Sequence, residues 1–248
     1  MAYIALTITC VIAAICGWGV PDSADFILRS RAAEPRDEAD LDLDGFRPEY
    51  SYKAGGGARL AFAAVEVACC VAVGLPAAMA GSPTLAVLNG AWAALLALFS
   101  SLIVICDLRA RIIPRTTCFV LGAYGIVWQV ITFGTISALV TAGVALIVWL
   151  CCVGINRINK AKHGYAVGGG DVRAFAALIM ATGIGNAHVH PAIGVVAMFA
   201  VMAVYVALKA LRGKPVRGVY LPMAPFFAVW AGMSTLIVAH WQWCNLLM

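Results

Sequence analysis

Two aspartates, Asp107 and Asp171, are the residues whose type and setting most clearly suggest chemistry; they lie 64 positions apart. Two carboxyl groups held close together share a proton, because burial and mutual repulsion raise one pKa while the other group stays ionised. One carboxylate can then deprotonate a water molecule while the other carboxyl polarises a carbonyl oxygen. The pair is therefore a candidate for aspartic-protease chemistry.

The residues around each aspartate fit an active-site loop. Gly168, Gly169 and Gly170 directly precede Asp171, and glycines let a backbone turn tightly and approach a substrate without a Cβ clash. Pro114 follows Asp107 by seven residues. Proline lacks an N–H and disfavours helix in the residue before it, so the chain after Asp107 is expected to leave its helix as a fixed turn.

Each aspartate also has an ordinary structural interpretation. Asp107 could pair with Arg109 or Arg111, which lie two and four residues after it. Asp171, after its glycines, could cap the N-terminus of a helix. Neither motif alone separates these interpretations from catalysis.

The elements that must position the pair are membrane-spanning helices. Of 248 residues, 63% are hydrophobic and only 12% are charged, and the mean hydropathy is +0.93. Soluble domains carry about 25% charged residues, so soluble enzymes and nucleic-acid modules are excluded, and no nucleic-acid partner is expected. We predict an all-α, polytopic transmembrane helix bundle in a lipid bilayer. Runs long enough to cross the hydrocarbon lie near 3–20, 60–80, 84–106, 117–134, 136–155, 174–188, 192–208 and 219–241.

The basic residues predict the orientation of these eight spans. All 17 Lys and Arg fall in four stretches, 29–59, 109–115, 157–173 and 209–217. If the N-terminus is external, all four stretches lie on one face. Basic loops remain cytoplasmic, which predicts N-out and C-out topology, with both aspartates at the cytoplasmic face.

Three segments follow from this reading: a first span at 1–20, a polar cytoplasmic loop at 21–59 and a transmembrane core at 60–248. The first span lacks a basic n-region and is expected to be retained as an anchor rather than cleaved. The loop has few large apolar residues and is expected to be a solvated linker.

Glu66 is the third acidic residue outside that loop and lies inside the second predicted span. A carboxyl group within a span is a functional candidate by default, so Glu66 could assist the aspartates; it could equally be a structural partner of a hydroxyl or an arginine. The nine cysteines contain no C-x-x-C pair. We expect no metal and no obligatory cofactor.

Three motifs together resemble those of the type IV prepilin peptidases. The stretch from Asp107 to Pro114 is similar to their D-x-x-x-x-x-[IL]-P signature, and Gly168–Asp171 is similar to their G-x-G-D motif. Residues 220–226 resemble a late P-x-x-P-F element. The resemblance covers residues from about 85 to 240.

The resemblance implies an aspartic endopeptidase of the bacterial inner membrane that removes the leader of prepilins or pilin-like secretion proteins at the cytoplasmic face. It makes Asp107 and Asp171 the catalytic dyad, and it assigns Gly168, Gly170 and Pro114 to the supporting loops. Arg173 stands where the family commonly has Lys, and Arg115 where it often has Asn. Larger members carry C-x-x-C pairs associated with methylation, but the loop 21–59 has no cysteine. We therefore expect the shorter, peptidase-only type, without methyltransferase activity.

A proton-coupled transporter or channel is the alternative function. It would use Asp107, Asp171 and Glu66 as relay groups and would need acids at several depths along one path. The sequence instead predicts two acids at one interface and a single acid within a span, which favours the peptidase.

Overall fold

The computed structural model describes residues 1–32, 48–160, 168–183, 191–213 and 222–248. Within these ranges all regular secondary structure is α-helical, which confirms the predicted fold class. The eight helices are α1 (Ala2–Ala32), α2 (Gly56–Met79), α3 (Pro83–Ala110), α4 (Arg115–Phe133), α5 (Thr135–Lys160), α6 (Gly169–Thr182), α7 (Pro191–Leu211) and α8 (Ala224–Leu247).

Seven of these helices are long and apolar enough to cross a bilayer. Large apolar side chains such as Phe119 and Ile136 are about three-quarters exposed, as expected of surfaces solvated by lipid rather than water. Helix α6 is the exception. Its 14 residues rise about 21 Å, less than the roughly 30 Å of hydrocarbon. Residues 184–188, where the predicted sixth span would continue, lie outside the described ranges.

Helix α1 continues further than predicted. It runs to Ala32 through Pro21, so the first twelve residues of the predicted polar loop are helical. Residues 33–47 of that loop lie outside the described ranges. The part of the loop just before α2 is held against α1, since the Tyr52 N–H donates to Asp25 Oδ1 at 2.8 Å. A solvated linker therefore does not describe the parts of the loop that the structure covers.

The turns between helices follow local sequence signals. Ser82 caps α3 by accepting a hydrogen bond from the Leu85 N–H, with Pro83 in the first turn, a position where a missing N–H costs nothing. Gly134 has a φ of 87° between α4 and α5, a conformation that glycine adopts without strain. Pro114 lies directly before α4, as its restricted backbone predicts.

Ring stacking and buried hydrogen bonds connect helices α3, α4 and α6 at the end of the bundle away from Asp107. The rings of Trp92 and Trp128 stack with centroids 4.4 Å apart. The Trp92 indole N–H donates to the Ala181 carbonyl at 2.7 Å, and the Trp128 indole donates to Asn89 Oδ1 at 2.9 Å. These buried polar contacts fix the helices that carry the two aspartates relative to one another.

Candidate active site

Asp107 lies in the last turn of α3 and is only 2% exposed. Its Oδ2 accepts a hydrogen bond from the Ala224 N–H at 3.1 Å, and the Met223 N–H also donates to this carboxyl group. Met223 is the N-cap residue of α8 and Ala224 its first residue, and at this helix end the unpaired N–H groups and the helix dipole favour a negative charge. The buried carboxyl group on α3 is thus hydrogen-bonded to the N-terminus of α8.

The third sequence motif explains why α8 begins at this point. Pro225 occupies the first turn of α8, the position that proline favours, and Phe226 is buried beneath it. Tyr220 and Leu221 lie outside the described residues. The P-x-x-P-F element therefore contributes backbone donors at its described end. Sequence reasoning missed the Ala224 N–H, although Pro225 marks the helix start.

Asp171 lies three residues into α6 and is 8% exposed. Its carboxylate accepts a hydrogen bond from the N–H of Gly168, the N-cap residue of α6. This is the backward-reaching half of a capping box, so the expected capping role is real. It does not exclude another role, because the carboxyl group is buried beside a second acid.

The two aspartates interact electrostatically. Burial, reinforced by the charge of Asp107, raises the pKa of Asp171 to about 7, while the Gly168 N–H and the Arg111 guanidinium oppose that rise. A carboxyl group with this pKa is partly protonated near neutral pH, whereas an ordinary aspartate is ionised. The fold therefore brings together the two acids that the sequence singled out, and it gives them unequal surroundings.

The loops that carry the two motifs are also in contact. A Cβ placed on Gly170 would lie 3.0 Å from Cβ of Ile113, the residue before Pro114. A side chain at position 170 would therefore crowd the contact between the two loops. Gly168 has a φ of −59°, which any residue can adopt. Pro114 is buried at the end of the turn, in the position that sequence reasoning expected.

The nearby arginines have different partners. Arg109, expected as a possible partner of Asp107, instead pairs with Glu49 and lies 5.5 Å from the centre of the Tyr52 ring. The Nε of Arg173 donates to the Gly169 carbonyl at 2.9 Å, so this side chain folds back over the first turn of α6. Arg111, the other possible partner of Asp107, is the arginine whose charge acts on both aspartates; sequence reasoning did not connect it with Asp171.

Glu66 is buried between α1 and α2, apart from the aspartates. It is 1% exposed, and within the described part of the chain neither carboxyl oxygen has a hydrogen-bond partner. A Cβ on Gly90 of α3 would lie 2.9 Å from Sγ of Cys70, so these two residues are at the same level in antiparallel α2 and α3. From that register Glu66 lies about 20 Å from Asp107 along the bundle axis. The structure does not bring Glu66 to the pair.

In a comparison with known proteins, one family model matches the part of the chain that carries both aspartates. Residues 94–213 match the family model described as the type IV leader peptidase family. The match includes both aspartates, Pro114 and the three glycines before Asp171, and it ends before the P-x-x-P-F element. No curated protein and no solved structure matches the chain.

Proposed function

The chain belongs to the type IV leader peptidase family through residues 94–213, and from this premise we propose that it is a membrane-embedded aspartic endopeptidase with Asp107 and Asp171 as its catalytic dyad. Its substrates are prepilins or pilin-like secretion proteins of the bacterial inner membrane, cut at the cytoplasmic face. The observation that carries the proposal is the buried pair of carboxyl groups, one with a pKa of about 7, inside the segment that matches the family model.

The unequal surroundings of the two acids support different roles for them. Asp107 accepts hydrogen bonds from the first turn of α8, which stabilises a carboxylate, so Asp107 is the base that deprotonates the attacking water. Asp171 retains the shared proton near neutral pH and donates it to the carbonyl oxygen of the scissile bond. Water adds to that carbonyl, and Asp107 takes up the water proton.

The second step returns both groups to their starting states. Asp107 passes its proton to the leaving amine as the C–N bond breaks, and a hydroxyl of the tetrahedral intermediate returns a proton to Asp171. One water is consumed, and one carboxyl group and one amine are produced. The substrate must be extended where it is cut, because a peptide bond within a helix is shielded from attack. Its apolar helix would lie in the bilayer.

Gly170, Gly168, Pro114 and Arg173 would support this site rather than react. Gly170 permits the contact between the two loops, Gly168 supplies an N–H to Asp171, and Arg173 braces the first turn of α6. The surroundings of Glu66 do not favour a proton relay, since its carboxyl oxygens have no hydrogen-bond partner among the described residues.

The test is cleavage of a co-expressed prepilin-like substrate, followed by its shift on a gel. Asp107→Asn and Asp171→Asn should each reduce the cleavage rate by about 10²–10⁴-fold, the usual contribution of a general acid or base. Asp22→Asn is the matched control, because this carboxylate is 68% exposed and pairs with Arg59 on α2. Full processing by either dyad variant, at normal abundance in the membrane, would refute the assignment.

A further inference from the structure

Arg111 has an unusual backbone conformation at the end of α3. Its φ of 55° is the only positive value for a non-glycine residue in the part of the chain that the structure describes. Helices often end on such a left-handed residue, but it is usually glycine because a Cβ is unfavourable there. The Arg111 N–H donates to the Asp107 carbonyl at 2.9 Å, so the strained residue closes the turn that follows Asp107.

The side chain of Arg111 is directed inward. Its Nε and Nη1 atoms are buried, although arginine is usually exposed. Its positive charge acts on Asp107 from the end of α3 and on Asp171 from across the site. Arg111 is of intermediate exposure as a whole, so the left-handed turn presents a partly buried guanidinium to two buried carboxyl groups, unlike a surface ion pair.

The other groups that face the aspartates do not supply this charge. Helix α8 contributes the neutral N–H groups of Met223 and Ala224, and α6 contributes the Gly168 N–H. Arg109 is paired with the exposed Glu49, and Arg173 bonds to a carbonyl of its own helix. Among the described residues, Arg111 is therefore the cation that compensates the pair.

We propose that Arg111 is a positioning residue that holds the aspartate pair in its singly ionised form, which rests on the proposed function of that pair. Two buried carboxyl groups would otherwise tend to be fully protonated, because burial and repulsion both disfavour charge. A guanidinium beside the pair compensates one negative charge and leaves one proton shared. The pair then contains a base and an acid at the same time.

The test is the pH dependence of cleavage in Arg111→Gln, Arg111→Lys and Arg109→Gln. Removing the positive charge makes deprotonation of the aspartate pair harder. Arg111→Gln should therefore move the pH range of cleavage upward by about one unit or more, the size of shift that a nearby opposite charge causes in a carboxyl pKa. Arg111→Lys keeps the charge and should stay closer to the unmodified protein. Arg109→Gln removes the same charge from the exposed neighbour and should leave the window in place.

Arg111→Gly separates the effect of losing the positive charge from the effect of disturbing the left-handed backbone turn. Glycine suits the left-handed turn, so this variant should fold as well as the unmodified chain and still show the upward shift. A cleavage rate that falls equally at every pH in Arg111→Gln and Arg111→Gly would overturn the proposal and leave Arg111 with a structural role. The proposed function is decided separately, by Asp107→Asn and Asp171→Asn.

A second measurement covers variants that no longer cleave. An apolar carbodiimide reacts with protonated carboxyl groups, and mass spectrometry of the peptide containing Asp171 follows that reaction against pH. The labelling midpoint should rise in Arg111→Gln relative to the unmodified chain and remain unchanged in Arg109→Gln. An unchanged midpoint in Arg111→Gln would overturn the proposal even if all activity were lost.

Discussion

Asp107 and Asp171 are both buried, but different partners surround them. Asp107 accepts N–H groups from another helix, whereas Asp171 accepts one from its own N-cap residue. Each carboxyl group is therefore partly compensated before any substrate binds. The remaining repulsion between them, together with burial, leaves a proton on Asp171 at a pH where an ordinary aspartate has lost it.

The titration of Asp171 gives a prediction with a definite sign. Its pKa of about 7 implies that cleavage declines as the pH rises through 7, because the proton needed for the carbonyl is lost. In Asp107→Asn the repelling charge is absent, so the pKa of Asp171 should fall while burial keeps it above its usual range. The carbodiimide labelling midpoint of Asp171 measures this shift, and a midpoint that rises in Asp107→Asn would contradict the coupling.

At the scale of elements, the site depends on three helix ends that meet. The last turn of α3 carries Asp107, the first turn of α6 carries Asp171, and the first turn of α8 supplies N–H donors. The turn from Arg111 to Pro114 leads from α3 into α4 and packs on Gly170. A small displacement in that turn therefore moves one aspartate relative to the other.

Two neighbouring glycines test this dependence. A Cβ on Gly170 would press on Ile113 at 3.0 Å, whereas a Cβ on Gly169 would meet only the end of the Arg173 side chain, at 3.8 Å. Gly170→Ala should lower the cleavage rate on the order of tenfold, because small misplacements of catalytic groups are costly. Gly169→Ala is the matched control and should cleave at nearly the unmodified rate. Equal rates for the two variants, at equal abundance, would contradict the close-approach role.

At the scale of the whole molecule, lipid is the solvent that shapes the bundle. Apolar side chains cover much of the outer surface, while buried carboxyl groups lie inside it. Segment 48–55 ties helices α1 and α3 through Tyr52 and Glu49. That tie occupies Arg109 and so removes one positive charge from the surroundings of Asp107.

The orientation of the bundle stays a prediction that a fusion experiment can test. The distribution of Lys and Arg predicts an external C-terminus. Alkaline phosphatase fused after Met248 should therefore be active, because the enzyme folds only outside the cytoplasm, and a green fluorescent protein fused at the same site should remain dark. A fusion in the loop between α3 and α4 should give the opposite pair of results. Phosphatase activity at that loop would place the aspartates on the external face and contradict the topology.

Much of the site could be predicted from the sequence, because the features that mark it are either local in the chain or follow from the lipid surroundings. High hydropathy required helices that bury their backbone polar groups in lipid. Scarcity of acids singled out Asp107 and Asp171, and glycine and proline marked the turns beside them. These inferences need only composition, the spacing of apolar runs and backbone chemistry, which a single chain displays without its tertiary contacts.

Tertiary structure decided the partners of those residues. Asp107 bonds to Ala224, which is 117 positions away, and a backbone N–H carries no side-chain signal in the sequence. Arg109 and Arg111 are both close to Asp107 in the sequence, yet Arg109 pairs with Glu49, whereas the charge of Arg111, the left-handed residue that ends α3, acts on both aspartates. Glu66 is as rare as the aspartates, being one of three acids outside the polar loop, but it lies about 20 Å from Asp107 along the bundle axis, because the register of α2 against α3 sets its depth. Residue types determine which chemistry is available, and helix packing determines which groups share it.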